Sequence, residues 1–184
     1  MISKMRIHVL SQHTTQRDLE ITAVHEAGHT LMYLLQGDKV LKTSIMVYSS
    51  GVGGVTIRDM DDTGDYKLMM QSDMEKQIRV LLAGKCAEDI VYGEHTQGCS
   101  NDIQRASDIV YEMVKSFAYS KDMMMNISDD KQLIKDKEIM RRCNSILEEK
   151  EQQTKEMLMD NEDKLLSLRD GLLKENTLVN PALE

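Results

Sequence analysis

The sequence has no tryptophan, one phenylalanine and one proline, and aromatic residues make up only 4% of it. A core without large rings must be built from Leu, Ile, Val and Met, and methionine is frequent, with 15 copies. Proline breaks helix interiors, and the single proline is Pro181 near the end of the chain. This composition favours packed helices over a β-sandwich.

Long apolar runs, paired cysteines and excess basic charge are also missing. No stretch of about 18 apolar residues occurs, which predicts no membrane segment, and the first ten residues lack the apolar region of a signal peptide. The three cysteines form no CxxC pair, which indicates reduced thiols. A net charge of −8 disfavours nucleic acid as a partner. We therefore expect a soluble cytoplasmic protein.

The first helical pattern runs from Gln16 to Gln36. Thr14 or Thr15 can act as its N-cap, and Gly37 stands where a C-terminal glycine belongs. These signals predict one helix over this range.

Two β-branched segments follow that helix. Val40–Tyr48 and Val55–Ile57 flank the glycine-rich segment Ser49–Gly54, which is the pattern of a hairpin around a loop. Glycine-rich loops also bind phosphates, but no Lys-Ser/Thr pair and no helical pattern directly follow this one. We therefore interpret it as a turn.

Further helices are predicted after the hairpin. Ser72–Glu75 has the pattern of a capping box and opens a helix that Gly84 interrupts and Gly93 ends. A third helix is expected to begin near Ser100 or Asn101, because apolar residues recur there at helical spacing.

The last part of the chain is polar and rich in Glu and Lys. From about Asp129 to Asn176 it predicts one or two amphipathic helices, which can pack as a helical hairpin. The fold expected overall is mainly α with a small β-hairpin. It divides into a core of residues 1–128 and C-terminal helices of residues 129–184 packed on the same domain.

The first helix contains the motif HExxH. His25 and His29 at i and i+4 lie on one helical face, roughly 6 Å apart, because of the helical repeat. Both imidazoles can then reach one tetrahedral Zn²⁺ ion at about 2.0–2.1 Å. Glu26 lies beside the metal, where it can accept a proton from a water that the metal activates.

A helix with two surface histidines is the competing interpretation. The small and apolar neighbours favour a metal site instead. Gly28 costs about 1 kcal/mol relative to alanine in a helix interior. Close approach of another backbone beneath a metal site would explain that cost, so zinc is the favoured interpretation.

A zinc site of this kind needs a third protein ligand. The spacing HExxHxxGxxH is excluded, because Met32 and Leu35 occupy the positions of its glycine and third histidine. The third ligand must come from a later segment, and spacing alone does not choose among the candidates. They are Glu88, Asp89, His95, Cys99, Asp102 and Asp108.

Three blocks of sequence occur in a fixed order. They are His25–His29, then Leu81–Gly93 with the sequence LLAGKCAEDIVYG, then Gly98–Ala106 with the sequence GCSNDIQRA. In order and spacing they resemble the blocks HEAGH, LLAGRAAEEIVFG and GASNDLQRAT in the peptidase domain of FtsH-type AAA proteases. The likeness extends from about Arg17 to Lys174–Leu178, which is similar to the closing segment of that domain.

This resemblance implies an FtsH-type metallopeptidase fold, a Zn²⁺ cofactor, protein or peptide substrates and a homo-oligomer, hexameric in that family. It further implies that Asp102 is the third ligand and that Glu88 orients a histidine ligand. The competing interpretations are a helix-capping carboxylate for Asp102 and a solvated charge for Glu88. Cys99 stands where the family usually has alanine, and we interpret it as a small buried residue.

The chain also departs from the family pattern. It contains neither membrane helices nor an AAA ATPase, and no Walker motif occurs in it. We therefore expect a zinc metalloendopeptidase that depends on a separate AAA ATPase for any ATP-driven step. The alternative is a non-proteolytic zinc-binding ring subunit or adaptor. Glu26 favours the enzyme, because a scaffold needs no general base.

Overall fold

A computed structural model of the protein describes residues 15–48, 51–59, 68–117 and 133–183. Within these ranges a short 3₁₀ turn, Gln97–Cys99, precedes the third of five helices. The helices are α1 Gln16–Leu35, α2 Gln71–Tyr92, α3 Ser100–Lys115, α4 Leu133–Met159 and α5 Glu162–Glu175. The strands are β1 Val40–Tyr48, β2 Gly51–Arg58 and β3 Thr177–Val179. The prediction of a mainly α fold with a small hairpin is confirmed.

Both ends of α1 follow the sequence signals. The backbone N–H of Asp18 donates to Thr15 Oγ1 at 3.1 Å, and the Asp18 carboxylate accepts from the Thr15 backbone N–H at 2.8 Å. This reciprocal pair is a capping box and satisfies two backbone donors. Gly37 follows the C-cap with φ 83°, a backbone conformation that glycine adopts without strain.

The sheet has the order β2-β1-β3, and both pairings are antiparallel. The glycines predicted to form a loop lie in β2 instead, with Gly53 opposite Met46 and Gly54 opposite Ile45. That prediction is wrong: these glycines pair with β1, and at Gly54 the strand passes so close to α1 that an added Cβ atom would overlap the Glu26 side chain. Ser49 and Ser50 lie outside the described residues.

The third strand was not predicted. β3 pairs with β1 through Thr177 opposite Ser44, and the two side-chain hydroxyls lie 2.8 Å apart. A three-residue strand whose partner is more than a hundred residues away leaves no local pattern to detect. It attaches the C-terminal segment to the sheet.

Helix α2 differs from its prediction in two ways. It begins at Gln71, and the Met70 backbone N–H donates to Asp73 Oδ2 at 2.9 Å, so the capping interaction lies earlier than predicted. The helix also continues through Gly84 without interruption. One glycine costs a helix only about 1 kcal/mol, which tertiary packing offsets. Gly93 ends the helix in the left-handed conformation, as predicted.

The core lies between α1, α2 and the C-terminal helices. Helix α1 packs against α2 and α5, while α4 packs against α2 and α3. The largest apolar side chains that are fully buried are Leu31, Met32, Ile78, Met113, Leu158, Leu165 and Leu172. Aliphatic residues and methionine thus fill the interior, as the scarcity of aromatics predicts.

The two C-terminal helices have the extent that the amphipathic pattern predicts, although Asp129 lies outside the described residues. So does the predicted boundary between residues 128 and 129, and the division into two segments stays a prediction.

All three cysteines are free and buried. Among the helices in the described part of the chain, none combines the length and the apolar character needed to cross a membrane.

Candidate metal centre

Helices α1 and α2 approach each other closely beneath the histidines. A Cβ atom added to Gly28 would lie 2.6 Å from the carbonyl oxygen of Ala83 and 2.7 Å from the Cβ of Ala87. Neither backbone nor a short alanine side chain can move aside cheaply. The close backbone approach that Gly28 predicts is therefore present.

Three ligand atoms converge between α1 and α3. The Nε2 atoms of His25 and His29 are 3.0 Å apart, and each lies 3.3 Å from Asp102 Oδ2. A tetrahedral zinc ion with bonds of about 2.0–2.1 Å holds neighbouring ligand atoms roughly 3.3 Å apart. The spacing of the three atoms fits such an ion.

The other nitrogen of each imidazole is occupied. His25 Nδ1 lies 2.7 Å from Glu88 Oε1, and His29 Nδ1 lies 2.8 Å from the carbonyl oxygen of Val80. Carbonyl and carboxylate oxygens only accept, so both Nδ1 atoms carry the proton in the neutral rings. Both Nε2 lone pairs then face each other and the Asp102 carboxylate, and a cation is needed to hold these three acceptors together.

The same contacts set the pKa values of His25 and Asp102. Burial lowers the pKa of His25, but hydrogen bonds to Asp102, Cys99 and Glu88 outweigh burial and raise that pKa to about 12. Burial raises the pKa of Asp102, yet its contacts with His25 and His29 hold it well below its ordinary value. A metal cation held by these atoms would compete with a proton for them.

Glu88 lies behind the His25 ring and is 1% exposed. Its carboxylate accepts from His25 Nδ1, from the Thr96 backbone N–H at 2.6 Å and from the Cys99 thiol at 3.3 Å. Burial raises the pKa of Glu88, and these three donors overcome burial and lower it. Glu88 is therefore a buried, hydrogen-bonded carboxylate and not a solvated charge.

Most of the other ligand candidates lie elsewhere. Asp89 pairs with Lys85 and His95, and Asp108 accepts from Gln104 on the exposed face of α3. The exception is Cys99, whose sulfur lies 3.8 Å from His25 Nδ1 on the side away from Asp102. Of the later candidates, Asp102 is the one that faces both Nε2 atoms.

Glu26 is buried, with 6% of its surface exposed. Its Oε2 accepts a hydrogen bond from Thr56 Oγ1 on β2 at 2.8 Å. A Cβ atom at Gly54 would overlap the Glu26 side chain, and one at Gly84 would overlap the His25 ring. The absence of a side chain at these two positions makes room for the motif.

Sequence reasoning missed the roles of Gly54, Gly84 and Thr56. A glycine inside a helix is a usable signal, because it is costly unless a neighbour needs the space, and this applies to Gly84. Thr56 carries no such signal, since threonine is an ordinary strand residue.

A cleft of about 430 Å³ opens over the three ligand atoms. Residues of α1, β2, α2 and the start of α3 line it, including His25, Glu26, His29 and Asp102. The carboxylate of Glu26 and the convergent ligand atoms thus share one accessible space. The cleft is large enough to admit a segment of peptide chain.

A helix that presents HExxH to a third ligand in an open cleft defines the HExxH class of metallopeptidase sites. The sequence profile of peptidase family M41 matches residues 12–184. The chain belongs to peptidase family M41, and the resemblance seen in its sequence blocks is confirmed.

Several curated proteins are similar to this chain. The ATP-dependent zinc metalloprotease FtsH 3 of Petrotoga mobilis is 28% identical over 182 residues, which cover 89% of this chain and 28% of that protein. FtsH of Lancefieldella parvula, an ATP-dependent zinc metalloprotease by name, is 35% identical over 125 residues, 67% of this chain and 18% of its own length. FtsH 4 of Synechocystis, named in the same way, is 29% identical over 183 residues, 89% of this chain and 29% of its own. The chain spans less than a third of these relatives.

Proposed function

We propose that the protein is a zinc-dependent metalloendopeptidase whose Zn²⁺ is held by His25, His29 and Asp102. The observation that carries this proposal is the convergence of three acceptor atoms at 3.0–3.3 Å, with the remaining imidazole nitrogens already hydrogen-bonded. Family membership supports it, because the similar proteins are zinc metalloproteases by name.

Held by His25, His29 and Asp102, a Zn²⁺ ion would supply Lewis-acid chemistry, which lowers the pKa of a water molecule towards 7 and polarises a carbonyl. Glu26 is the general base of this proposal. Thr56 donates to its Oε2, which holds the carboxylate in one orientation and leaves Oε1 to accept the proton of the attacking water. Glu26 then passes that proton to the leaving nitrogen, so the base is regenerated in each cycle.

Glu88 acts on His25 in this proposal and does not touch the substrate. Its hydrogen bond fixes the Nδ1–H tautomer of His25, so that Nε2 stays directed at the metal position. The carbonyl oxygen of Val80 has the same role for His29. A charged partner on one histidine and a neutral partner on the other make His25 the more basic ligand.

The substrate is proposed to bind as an extended strand along β2. Within the described residues β2 pairs with β1 on one side, and its residues 53–56 line the cleft. Strand addition holds a peptide on both sides of the scissile bond, which suits an endopeptidase. Val55→Ala and Ile57→Ala should raise the KM of a peptide substrate. An unchanged KM in both variants would exclude this binding mode.

ATP dependence is proposed to come from outside these 184 residues, on the same polypeptide or another chain, because they contain no Walker motif. The similar proteins are ATP-dependent by name. By resemblance to FtsH-type proteases we further propose a homo-oligomer, a hexamer in that family. The free thiols support a reducing compartment such as the cytoplasm.

Cleavage of a fluorogenic peptide and of casein by wild type and Glu26→Gln tests the enzyme. The variant should keep its zinc and lose roughly 100- to 10,000-fold in kcat, the range for loss of a general base. Glu20→Gln is the matched control, because Glu20 lies on the same helix and hydrogen-bonds Gln16 outside the cleft. Equal, zinc-independent cleavage by all three proteins would overturn the mechanism. Zinc binding without any cleavage would favour the adaptor.

A further inference from the structure

Tyr33 lies on α1 one turn after His29 and two turns after Glu26. Residues four and seven apart share a helical face, and side chains on a helix lean towards its N-terminus. Tyr33 therefore leans along the face that carries the motif. Its side chain lines the same cleft as Glu26 and His29.

The ring of Tyr33 is half-buried and packs against the apolar core. Its hydroxyl, however, has no hydrogen-bond partner among the residues that the structure describes. A buried tyrosine ordinarily directs its O–H to a partner. Because Tyr33 lines the cleft, a hydroxyl without such a partner is available to a molecule that enters it.

The hydroxyl of Tyr33 stays protonated at neutral pH. Burial is the largest influence and raises its pKa above the ordinary value of 10.0, with smaller and opposing effects of Arg58 and Asp38. The group is therefore a hydrogen-bond donor under the conditions in which a peptidase of this class works.

Other side chains of the cleft can also donate, but they are less fixed. Gln77, Asn101 and Arg105 are exposed, and Arg105 already lies 3.8 Å from Asp102 Oδ1. A donor stabilises developing charge best when its position is set in advance, because no reorganisation is then needed during the reaction. Tyr33 meets this condition through its packed ring.

We propose that Tyr33 is a catalytic residue whose hydroxyl donates a hydrogen bond to the oxygen of the scissile carbonyl. The inference rests on the proposed peptidase function. As the water oxygen bonds to the carbonyl carbon, the π electrons of the C=O bond move to its oxygen and Glu26 takes the proton of the water. Tyr33 keeps its own proton, and its hydrogen bond strengthens as the negative charge grows on that oxygen.

Tyr33→Phe tests this role in the full chain, since it removes the hydroxyl and keeps the ring. Tyr111→Phe is the matched control: Tyr111 lies on α3 outside the cleft, with Lys115 Nζ 5.1 Å from the centre of its ring. We expect Tyr33→Phe to lower kcat by about 10- to 100-fold, somewhat less than the loss of a principal oxyanion donor, with KM changed less than about twofold.

Binding of two probes separates this role from a structural one. A phosphinic peptide carries a tetrahedral anion in place of the scissile amide, whereas a cleaved product peptide does not. Tyr33→Phe should weaken binding of the phosphinic peptide by the same factor as kcat and leave binding of the product peptide, zinc content and melting temperature unchanged. Tyr111→Phe should match wild type in kcat, in binding of both probes, in zinc content and in melting temperature.

Equal kcat and equal phosphinate affinity in Tyr33→Phe and wild type would overturn the role of Tyr33 alone. Loss of zinc or of thermal stability in Tyr33→Phe would also overturn it, because the residue would then be structural. A wild-type chain that binds neither zinc nor the phosphinic peptide would overturn both this inference and the proposed peptidase function.

Discussion

Helix α2 contributes to two clusters of titratable side chains that differ in kind. The first, here called the charged network, joins α2 to α4. Lys85 Nζ lies 2.9 Å from Asp89 and 2.8 Å from Glu151, and Lys155 Nζ lies 3.0 and 2.9 Å from the same two carboxylates. Two cations and two anions therefore balance each other without any added ion.

The second cluster is the candidate metal centre, where α2 supplies Glu88 behind His25. There the Nε2 atoms of His25 and His29 and the carboxylate of Asp102 converge as acceptors at 3.0–3.3 Å. Among the residues that the structure describes, no lysine takes part in these contacts, and Arg105 reaches only the other oxygen of Asp102, at 3.8 Å. The negative charge of Asp102 and the Nε2 lone pairs of the two histidines are therefore left for a cation to compensate.

The comparison shows that a density of acidic side chains does not mark a metal site. Asp89 and Asp102 are both aspartates with pKa values well below the ordinary range. Burial opposes the shift in each case. Lys85, His95 and Lys155 outweigh burial at Asp89, whereas His25 and His29 do so at Asp102. The kind of partner, and not the size of the pKa shift, distinguishes the ion-paired Asp89 from the proposed metal ligand Asp102.

The largest expected difference is in the zinc retained by Asp102→Asn and by Asp89→Asn. Both substitutions keep the shape of the side chain and remove one negative charge. Asp102→Asn should reduce zinc retained after dialysis to background and abolish zinc-dependent cleavage, because an amide is a poor zinc ligand. Asp89→Asn should retain zinc. Metal analysis of the dialysed proteins decides this, and equal zinc content in the two variants would remove Asp102 as a ligand.

Gly84→Ala should have the next largest effect. The added Cβ overlaps the His25 ring, so that the ring must move, and a displacement of about 1 Å can cost roughly 100-fold in rate. Gly171→Ala in α5 is the control, since its Cβ meets only the flexible Leu178 side chain at 3.2 Å. We expect kcat/KM to fall in Gly84→Ala alone. If both variants keep wild-type kcat/KM and zinc content, the ring has room that the structure does not indicate.

Glu88→Gln should weaken zinc binding by about 10- to 100-fold, the usual range for loss of an outer carboxylate partner of a histidine ligand. An amide can still accept from His25 Nδ1, but it no longer raises the basicity of that ligand. The matched variant Glu151→Gln alters the charged network and should leave zinc affinity unchanged. Competition with a chromogenic chelator measures both, and the same affinity in both variants would contradict the role of Glu88.

The smallest effect is expected when the pH dependence of fold stability is compared between wild type and Asp89→Asn, both in metal-free form. The folded-state pKa of Asp89 lies below its ordinary value of 3.8, so its ion pairs stabilise the fold above that value and lose this contribution as the pH falls through the folded-state pKa. At neutral pH the free energy of unfolding of wild type should exceed that of the variant by about 1 kcal/mol. The difference is small because the ion pairs of Asp89 are only partly buried. Urea titrations should show that this difference in unfolding free energy decreases below about pH 4. A difference in unfolding free energy that grows on acidification would contradict the predicted direction of the pH dependence.

Local patterns predicted the parts of the fold that depend on local interactions. The N-cap at Thr15, the glycines Gly37 and Gly93 at helix ends and the amphipathic C-terminal helices all follow from neighbours within a few residues. The predictions failed where distant contacts decide. Gly84 stays inside a helix and Gly53 and Gly54 join a strand, because tertiary packing outweighs their intrinsic preferences.

The candidate site divides in the same way. The spacing of His25, Glu26 and His29 determines by itself that two imidazoles and a carboxylate lie near one another, since a helix repeats every 3.6 residues. Asp102 is 77 residues from His25 in the sequence, and only tertiary packing brings them together. The space that Gly84 leaves for the His25 ring and the place of Tyr33 in the wall of the cleft were likewise decided by the tertiary structure. Both depend on which surfaces face each other after the helices pack.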